Sequence, residues 1–300
     1  MTVTKKYYQH PEYLIETEWL ENNLDKKDLR IFDCSVHVVR NPDAKQQLQA
    51  PFIFESGRDE FEHAHIPNAG FIDIPSELSD SSSNFPLMMP SENYFSAAMS
   101  RYGVSDNTHV VLYSTTEANW ATRVWWMLRA CGFNNASVLN GGWSKWKKEA
   151  RQISSLPRTY KPGEFISRPR PGFFVDKEQV LTAIKNNSSH IINALPAPLH
   201  TGTSDVVFGR KGRIRNSVNV PFNSLHDADT ECYLPADQLH HIYKTENINE
   251  SEHIITYCGG GIASSNTAFT LSLLGYENIS VYDASMLEWG NDATLPMEIG

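Results

Sequence analysis

Cysteine is scarce in this chain, and the little there is excludes two classes of protein. Cys34, Cys131, Cys232 and Cys258 lie far apart in 300 residues, with no C-x-x-C pair and no Cys/His spacing of a zinc site. That pattern reads as free thiols in a reducing compartment. Positive charge is also short: 26 Lys and Arg stand against 35 Asp and Glu, for a net charge of −9. This balance argues against general nucleic-acid binding, which needs a basic face. Long apolar runs are missing as well. The N-terminal "MTVTKKYYQHPEYLIETEWL" has no apolar core of signal-peptide length, and patches such as "VWWML" fall far below the roughly 18 residues that span a bilayer. A cytoplasmic protein without membrane contact is expected.

What is present is enough for about two domains at the usual ~150 residues each, and 40% hydrophobic residues suffice for ordinary cores. An internal repeat supports the count. Residues 109–146 overlay 253–290 with one residue of gap, setting Tyr113 on Tyr257, Gly132 on Gly275, Val138 on Val281 and Trp146 on Trp289. Upstream, "RIFDCS" echoes "HIINAL" and "IPNAGFIDIP" echoes "IRNSVNVPF". The expected units are residues 1–150 and 173–300, joined by a Pro-, Ser- and Arg-rich linker over 151–172. In the second unit "HIINAL", "SVNVPF", "HIITYC" and "ISVYDA" read as buried strands, with helices over "DQLHHIYKTEN" and "SSNTAFTLSLLG". Such alternation predicts an α/β fold: two tandem domains, each a mostly parallel sheet with helices on both faces.

This reading puts Cys258 just past the carboxyl end of a strand, where open α/β sheets place their ligands. Gly259, Gly260 and Gly261 follow it, and then a helix begins. Glycines allow unusual backbone angles, so the amides of Gly259, Gly260, Gly261, Ile262, Ala263 and Ser264 are expected to curl into an anion-binding nest at a helix start. Such donors favour a thiolate, the nucleophilic form of cysteine. The plainer alternative is a small buried Cys beside turn glycines. Against it stands the repeat: the first unit carries Ser114 at the equivalent position, in a loop, "STTEANWATR", without glycine. The first unit is therefore read as catalytically inactive. Residue 264, six after the cysteine, is Ser rather than the Arg of a C-x5-R phosphatase loop, so phosphate-ester hydrolysis is not expected.

The segments "FEHAHIPNAGFIDIPSELSD", "RVWWMLRACG", "LNGGWSKW", "YCGGGIASSNTAFTLSLLGY" and "VYDASMLEWGND" together resemble the two-domain rhodanese and 3-mercaptopyruvate sulfurtransferase family along nearly the whole chain. The resemblance implies two tandem rhodanese folds and a Cys258 that carries sulfane sulfur as a persulfide. It implies a small thiosulfate- or mercaptopyruvate-like donor, a thiol or cyanide acceptor, and no metal or organic cofactor. It places His65, and more weakly Asp59, where that family has a histidine–aspartate relay, and Arg210 near a second anion-binding arginine. The chain departs from both substrate branches, since the positions after the cysteine are Gly259 and Gly260, and the usual Asp-x-Arg of the second domain reads Asn193-Ala194-Leu195. Besides Arg210, the cluster "GRKGRIR" reads equally as anion binding or as a solvated loop. Ser264 and Ser265 are expected to cap the helix, and Trp120, Trp125, Trp126, Trp143, Trp146 and Trp289 to fill cores and the domain interface. A non-catalytic sulfur-carrier or binding module is the alternative function.

Overall fold

Each repeat folds around a five-stranded sheet, and the two sheets share one strand order. The computed structural model describes residues 7–42 and 51–300. Its strands are β1 (Leu14–Ile15), β2 (Leu29–Asp33), β3 (Val36–Arg40), β4 (Phe52–Ser56), β5 (Ala69–Phe71), β6 (His109–Tyr113) and β7 (Ala136–Leu139) in the first half. The second half contributes β8 (Phe174–Val175), β9 (Ser189–Asn193), β10 (Arg213–Ile214), β11 (Ser217–Asn219), β12 (His253–Tyr257), β13 (Ile279–Tyr282) and β14 (Met297–Glu298). The orders β1-β7-β6-β2-β5 and β8-β13-β12-β9-β11 correspond strand for strand, with every neighbour parallel. Among the described residues no helix is long and apolar enough to cross a membrane.

Alternating side chains of each central strand enter different cores, which is why these strands read as continuous apolar runs. From β6, Val110 and Leu112 join a core shared by both domains, whereas Val111 and Tyr113 pack outward with Leu20, Phe61, Trp143 and Trp146. From β12, Ile254 joins the shared core, whereas Ile255 and Tyr257 pack with Val180, Met286 and Trp289. Helices therefore cover both faces. The shared core is centred on two repeat-related helices, Asn119–Ala130 and Ile262–Leu273, whose Trp125 and Phe269 rings meet edge to face at 4.8 Å. In Ile262–Leu273 every residue from Ser264 to Leu273 is buried. Its hydroxyls are accommodated by the helix itself: Ser265 Oγ donates to Gly261 O at 2.7 Å and Ser272 Oγ to Ala268 O at 2.8 Å.

The expected linker is an extended strap laid against the first domain. Ser154 bridges His65, and the amides of Arg158, Gly163, Arg168 and Arg170 each donate at 2.8 Å to Ala69, Ser100, Cys131 and Ala130. Close approach makes Gly132 necessary: its φ is +83°, and a Cβ there would lie 2.4 Å from Arg168 O.

The repeat also supplies an internal control on a buried charge. Asp33 ends β2, fully buried, and its Oδ1 accepts the Ser35 amide at 2.8 Å; in the second domain Asn193 Oδ1 accepts the Leu195 amide at 2.9 Å. Burial pushes the Asp33 carboxyl up from 3.8 to about 6, with the Ser35 hydrogen bonds opposing it. Between those values the folded chain keeps a proton that the unfolded chain has released. The stability this group contributes is therefore full below the lower value and is lost as pH rises through the higher one. Asp33→Asn retains the acceptor without the charge. It is expected to raise the melting temperature at about pH 8 and to change it little near pH 4. Equal effects at both pH values in thermal denaturation would show that the charge is not the cause.

Candidate active site

Cys258 directly follows β12, and the chain then turns into the helix Ile262–Leu273. The turn is held from behind by Ser285, whose Oγ accepts the amides of Cys258 at 3.1 Å and Gly261 at 3.3 Å and donates to Tyr282 O at 2.6 Å. Ser285 adopts φ +50°, a left-handed conformation unusual for a side chain; the equivalent first-domain residue, Gly142, has φ +49°. The second domain thus accepts strain at 285 to place a hydroxyl where the first has none. "VYDASMLEWGND" contained this serine, but nothing in its local pattern marks it as a loop anchor.

The three glycines have different reasons. Gly261 has φ +78°, and a Cβ there would lie 2.5 Å from Asp283 Oδ1. At Gly259 a Cβ would meet the Phe208 ring at 2.6 Å, and at Gly260 it would meet Leu287 at 3.0 Å. Neither of these two has a left-handed φ, so room beside neighbouring side chains, not backbone freedom, is at stake: the Phe208 ring must shift for a Cβ at 259, whereas the Leu287 methyl need give only slightly for one at 260. Among the described residues, no acceptor is bonded to the Gly259 or Gly260 amide, and the first turn, Ile262, Ala263 and Ser264, carries the free donors of any helix start. The first-domain loop differs here. Its Ser114 Oγ accepts the Thr116 amide at 3.1 Å, and Ser35 Oγ accepts the Thr115 amide at 2.7 Å. The cysteine loop leaves the two amides after Cys258 open, whereas the two amides after Ser114 are occupied.

Ser264 Oγ donates to Cys258 Sγ at 3.5 Å, and the helix N-cap is Gly261 without any side-chain cap. Neither Ser264 nor Ser265 caps the helix as expected, because one hydroxyl turns to the sulfur and the other to Gly261 O.

Behind the loop lies an ion pair between the domains. Arg123, from helix Asn119–Ala130, donates to Asp283 Oδ1 at 2.6 Å and to Leu87 O at 2.8 Å, with its side chain fully buried. Asp283 Oδ2 accepts the Met89 amide at 2.8 Å. Repeat-equivalent positions hold neutral Asn266 and Asn140, so the charges occupy only the diagonal behind Cys258. The overlay of the two halves contained that asymmetry, although only the fold shows that the two residues meet.

Two expected site residues are corrected. Arg210 Nε and Nη atoms donate to the carbonyls of Gly290, Leu295, Trp289 and Asp292 at 2.5 to 3.2 Å. This guanidinium ties down the end of helix Ser285–Trp289 and has no fork left for an anion. The neighbouring Arg213 and Arg215 pair with Glu298. His65 is buried in the first domain, stacked on Phe61 at 4.1 Å with Nδ1 2.5 Å from Phe61 O; it does not line the cysteine cleft. Asp59 is an exposed helix residue outside that cleft. The other thiols differ from Cys258 in setting: burial pushes Cys34 well up and Cys131 up, and Cys232 is half-buried.

The sulfur faces a cleft of about 130 Å³ between the domains. Its walls include Val38, Phe52 and Phe54 of the β3–β4 hairpin, Glu117 and Trp120 of the first domain, and Leu195, Phe208, Phe222 and Leu287 of the second. Trp120 is thus both a core residue and a wall of the site. The repeat-related Ser114 loop lines a separate cavity of about 230 Å³.

The rhodanese-like domain family matches residues 16–149 and 176–292. The chain belongs to the rhodanese family. It is 31% identical over 285 residues to the thiosulfate sulfurtransferase of Rattus norvegicus, covering 92% of this chain and 91% of the relative. It is 29% identical over 289 residues to the 3-mercaptopyruvate sulfurtransferase of Escherichia coli strain K12, covering 95% and 98%. The crystal structure of SseA from Escherichia coli, described as a 3-mercaptopyruvate sulfotransferase with the rhodanese fold, superposes with a TM-score of 0.77 at 27% identity, covering 91% of this chain and 98% of that one. This rhodanese is a sulfurtransferase, an enzyme with a sulfur donor and a sulfur acceptor.

The Ser285 anchor gives a test of how this rhodanese shapes its loop. Ser285→Ala leaves two buried amides without their acceptor, at a cost of about 1–3 kcal/mol for each. Ser285→Gly loses the same bonds but relieves the left-handed strain. Both variants are expected to slow sulfur loading at least about tenfold, with the Gly variant melting higher than the Ala variant. Wild-type loading by Ser285→Ala would show that the loop keeps its shape without the hydroxyl.

Proposed function

We propose that Cys258 is the nucleophile of a double displacement in which sulfane sulfur passes through a Cys258 persulfide to a thiol or cyanide acceptor. The observation that carries this reading is the contrast between the two loops. Cys258 opens onto an interdomain cleft beside unoccupied amides, whereas Ser114 sits in a loop closed by its own hydroxyl bonds.

The Cys258 thiolate attacks the outer sulfur of the donor, forming one S–S bond. The bond from that sulfur to the rest of the donor breaks, and its electron pair leaves with the departing group. The Ser264 hydroxyl and the helix start offer hydrogen bonds to the charge that the terminal sulfur carries. Attack by the acceptor on the same outer sulfur then breaks the S–S bond and returns the thiolate. Arg123 contributes as a positioning residue, its charge and its bond to Asp283 holding the base of the loop from the neighbouring domain.

Reduced protein incubated with sodium polysulfide, desalted and digested is expected to carry one added sulfur on the peptide containing Cys258. Cyanide should then remove that sulfur as thiocyanate. Sulfur retained only on Cys34, Cys131 or Cys232 would overturn the assignment.

A further inference from the structure

Among the described residues, the side-chain walls of the Cys258 cleft carry no cation to pair with an oxyanion. Phe52 of the hairpin faces Phe208 across the domain boundary with centroids 6.2 Å apart, and Phe54 meets Trp120 edge to face at 6.2 Å. Phe222, Leu195 and Leu287 extend the same apolar surface. Val38, on the hairpin wall, is 48% exposed. Among the described lining residues there is no Lys or Arg, and the charged one is Glu117, at the exposed rim. Arg210 is committed to four carbonyls, the Phe208 ring crowds a side chain at 259, and positions 259 and 260 carry no charge. The loop amides and the Ser264 hydroxyl serve charge at the sulfur, but an anionic group elsewhere on the donor would lose its hydration beside rings and a carboxylate.

We infer that the sulfur donor of this site is an organic hydropersulfide whose R group is uncharged and apolar and packs between the hairpin and Phe208, and which reacts through its protonated form, R–S–SH. The inference rests on the Cys258 persulfide reading. The thiolate attacks the terminal sulfur of R–S–SH, the S–S bond of the donor breaks, and R–S⁻ departs with the electron pair; Cys258 is left as Cys–S–SH. One negative charge enters and one leaves, and R–S⁻ takes its proton from water outside the cleft. No oxidant or reductant is required, since one S–S bond replaces another.

The test compares two donors that share the reacting group and differ in charge: benzyl hydropersulfide and its 4-carboxybenzyl analogue, each released in situ from a capped precursor. Loading of Cys258 is followed by peptide mass on the full chain. The benzyl donor is expected to load with a kcat/KM at least about tenfold higher, the factor set by roughly 1.4 kcal/mol of unfavourable charge burial. Glu117→Gln should narrow the ratio, and Leu195→Arg should narrow it further by giving the carboxylate a bidentate partner. Phe54→Ala should lower loading by the benzyl donor more than by the charged one. Equal loading of the wild-type protein by the two donors overturns the inference and leaves the persulfide reading standing; failure of both while polysulfide still loads Cys258 likewise overturns the inference alone, and failure of polysulfide as well overturns the two together. Since the decisive comparison is made on wild-type protein, it does not depend on any variant folding.

Discussion

Cys258→Ser is expected to lower sulfur transfer by at least about a thousandfold while leaving the melting temperature within a few degrees of wild type. Oxygen replaces sulfur at a buried position whose backbone is fixed independently of the side chain, by Ser285 and by the Met286 amide donating to Cys258 O at 3.1 Å. The fold therefore has little reason to change. The chemistry does, because a serine hydroxyl stays protonated at neutral pH and forms no bond to sulfane sulfur that an acceptor can reopen. Cys232→Ser, at a half-buried thiol outside the cleft, is expected to keep wild-type turnover. Steady-state thiocyanate production by the two variants decides the matter: residual turnover of Cys258→Ser above about a tenth of wild type would contradict a persulfide on this residue.

The largest loss of stability is expected from Asp283→Ala. Removing one partner of a buried ion pair leaves the other charge uncompensated, at about 3–5 kcal/mol. Here the survivor is the Arg123 guanidinium, fully buried and left, among the described residues, with Leu87 O as its remaining hydrogen-bond acceptor. The Met89 amide loses its acceptor in the same step. Because the pair joins the domains behind Gly261, sulfur loading of Cys258 should fall along with stability. Urea unfolding reads the first effect and peptide mass the second. The double variant Arg123→Met with Asp283→Leu removes both charges and should recover a substantial part of the stability, since apolar replacements of a buried pair are often neutral. If Asp283→Ala unfolded at the wild-type urea concentration, the pair would be an incidental contact, not a clamp.

The sequence by itself determined the repeat, the alternating α/β plan and the setting of Cys258 in a glycine loop after a strand. Each is carried by local order along the chain: strand runs such as "HIITYC" are apolar on both faces because both faces are buried, and a thiol followed by three glycines at a strand end has no counterpart in the other half. The overlay of 109–146 on 253–290, with the two upstream echoes, already contained the correspondence of four of the five strands in each sheet; only the fold adds the fifth pair, β1 and β8. Tertiary structure decided what surrounds the sulfur, because those neighbours come from segments remote in the chain. Arg210 and His65 sit at positions where the resemblance suggested substrate contacts. Their donors and rings are instead taken up by the carbonyls of 289–295 and by Phe61, which no spacing rule could reveal. Conversely, Ser285, Arg123 and Asp283 look ordinary in one dimension. They acquire roles because two strand ends and a helix from the other domain converge behind one loop, and because a buried hydroxyl or charge is stable only where the folded chain supplies its partner. The aromatic walls of the cleft follow the same logic: Phe52, Phe54 and Phe208 belong to different domains, and only packing the two sheets onto one shared core turns them toward Cys258.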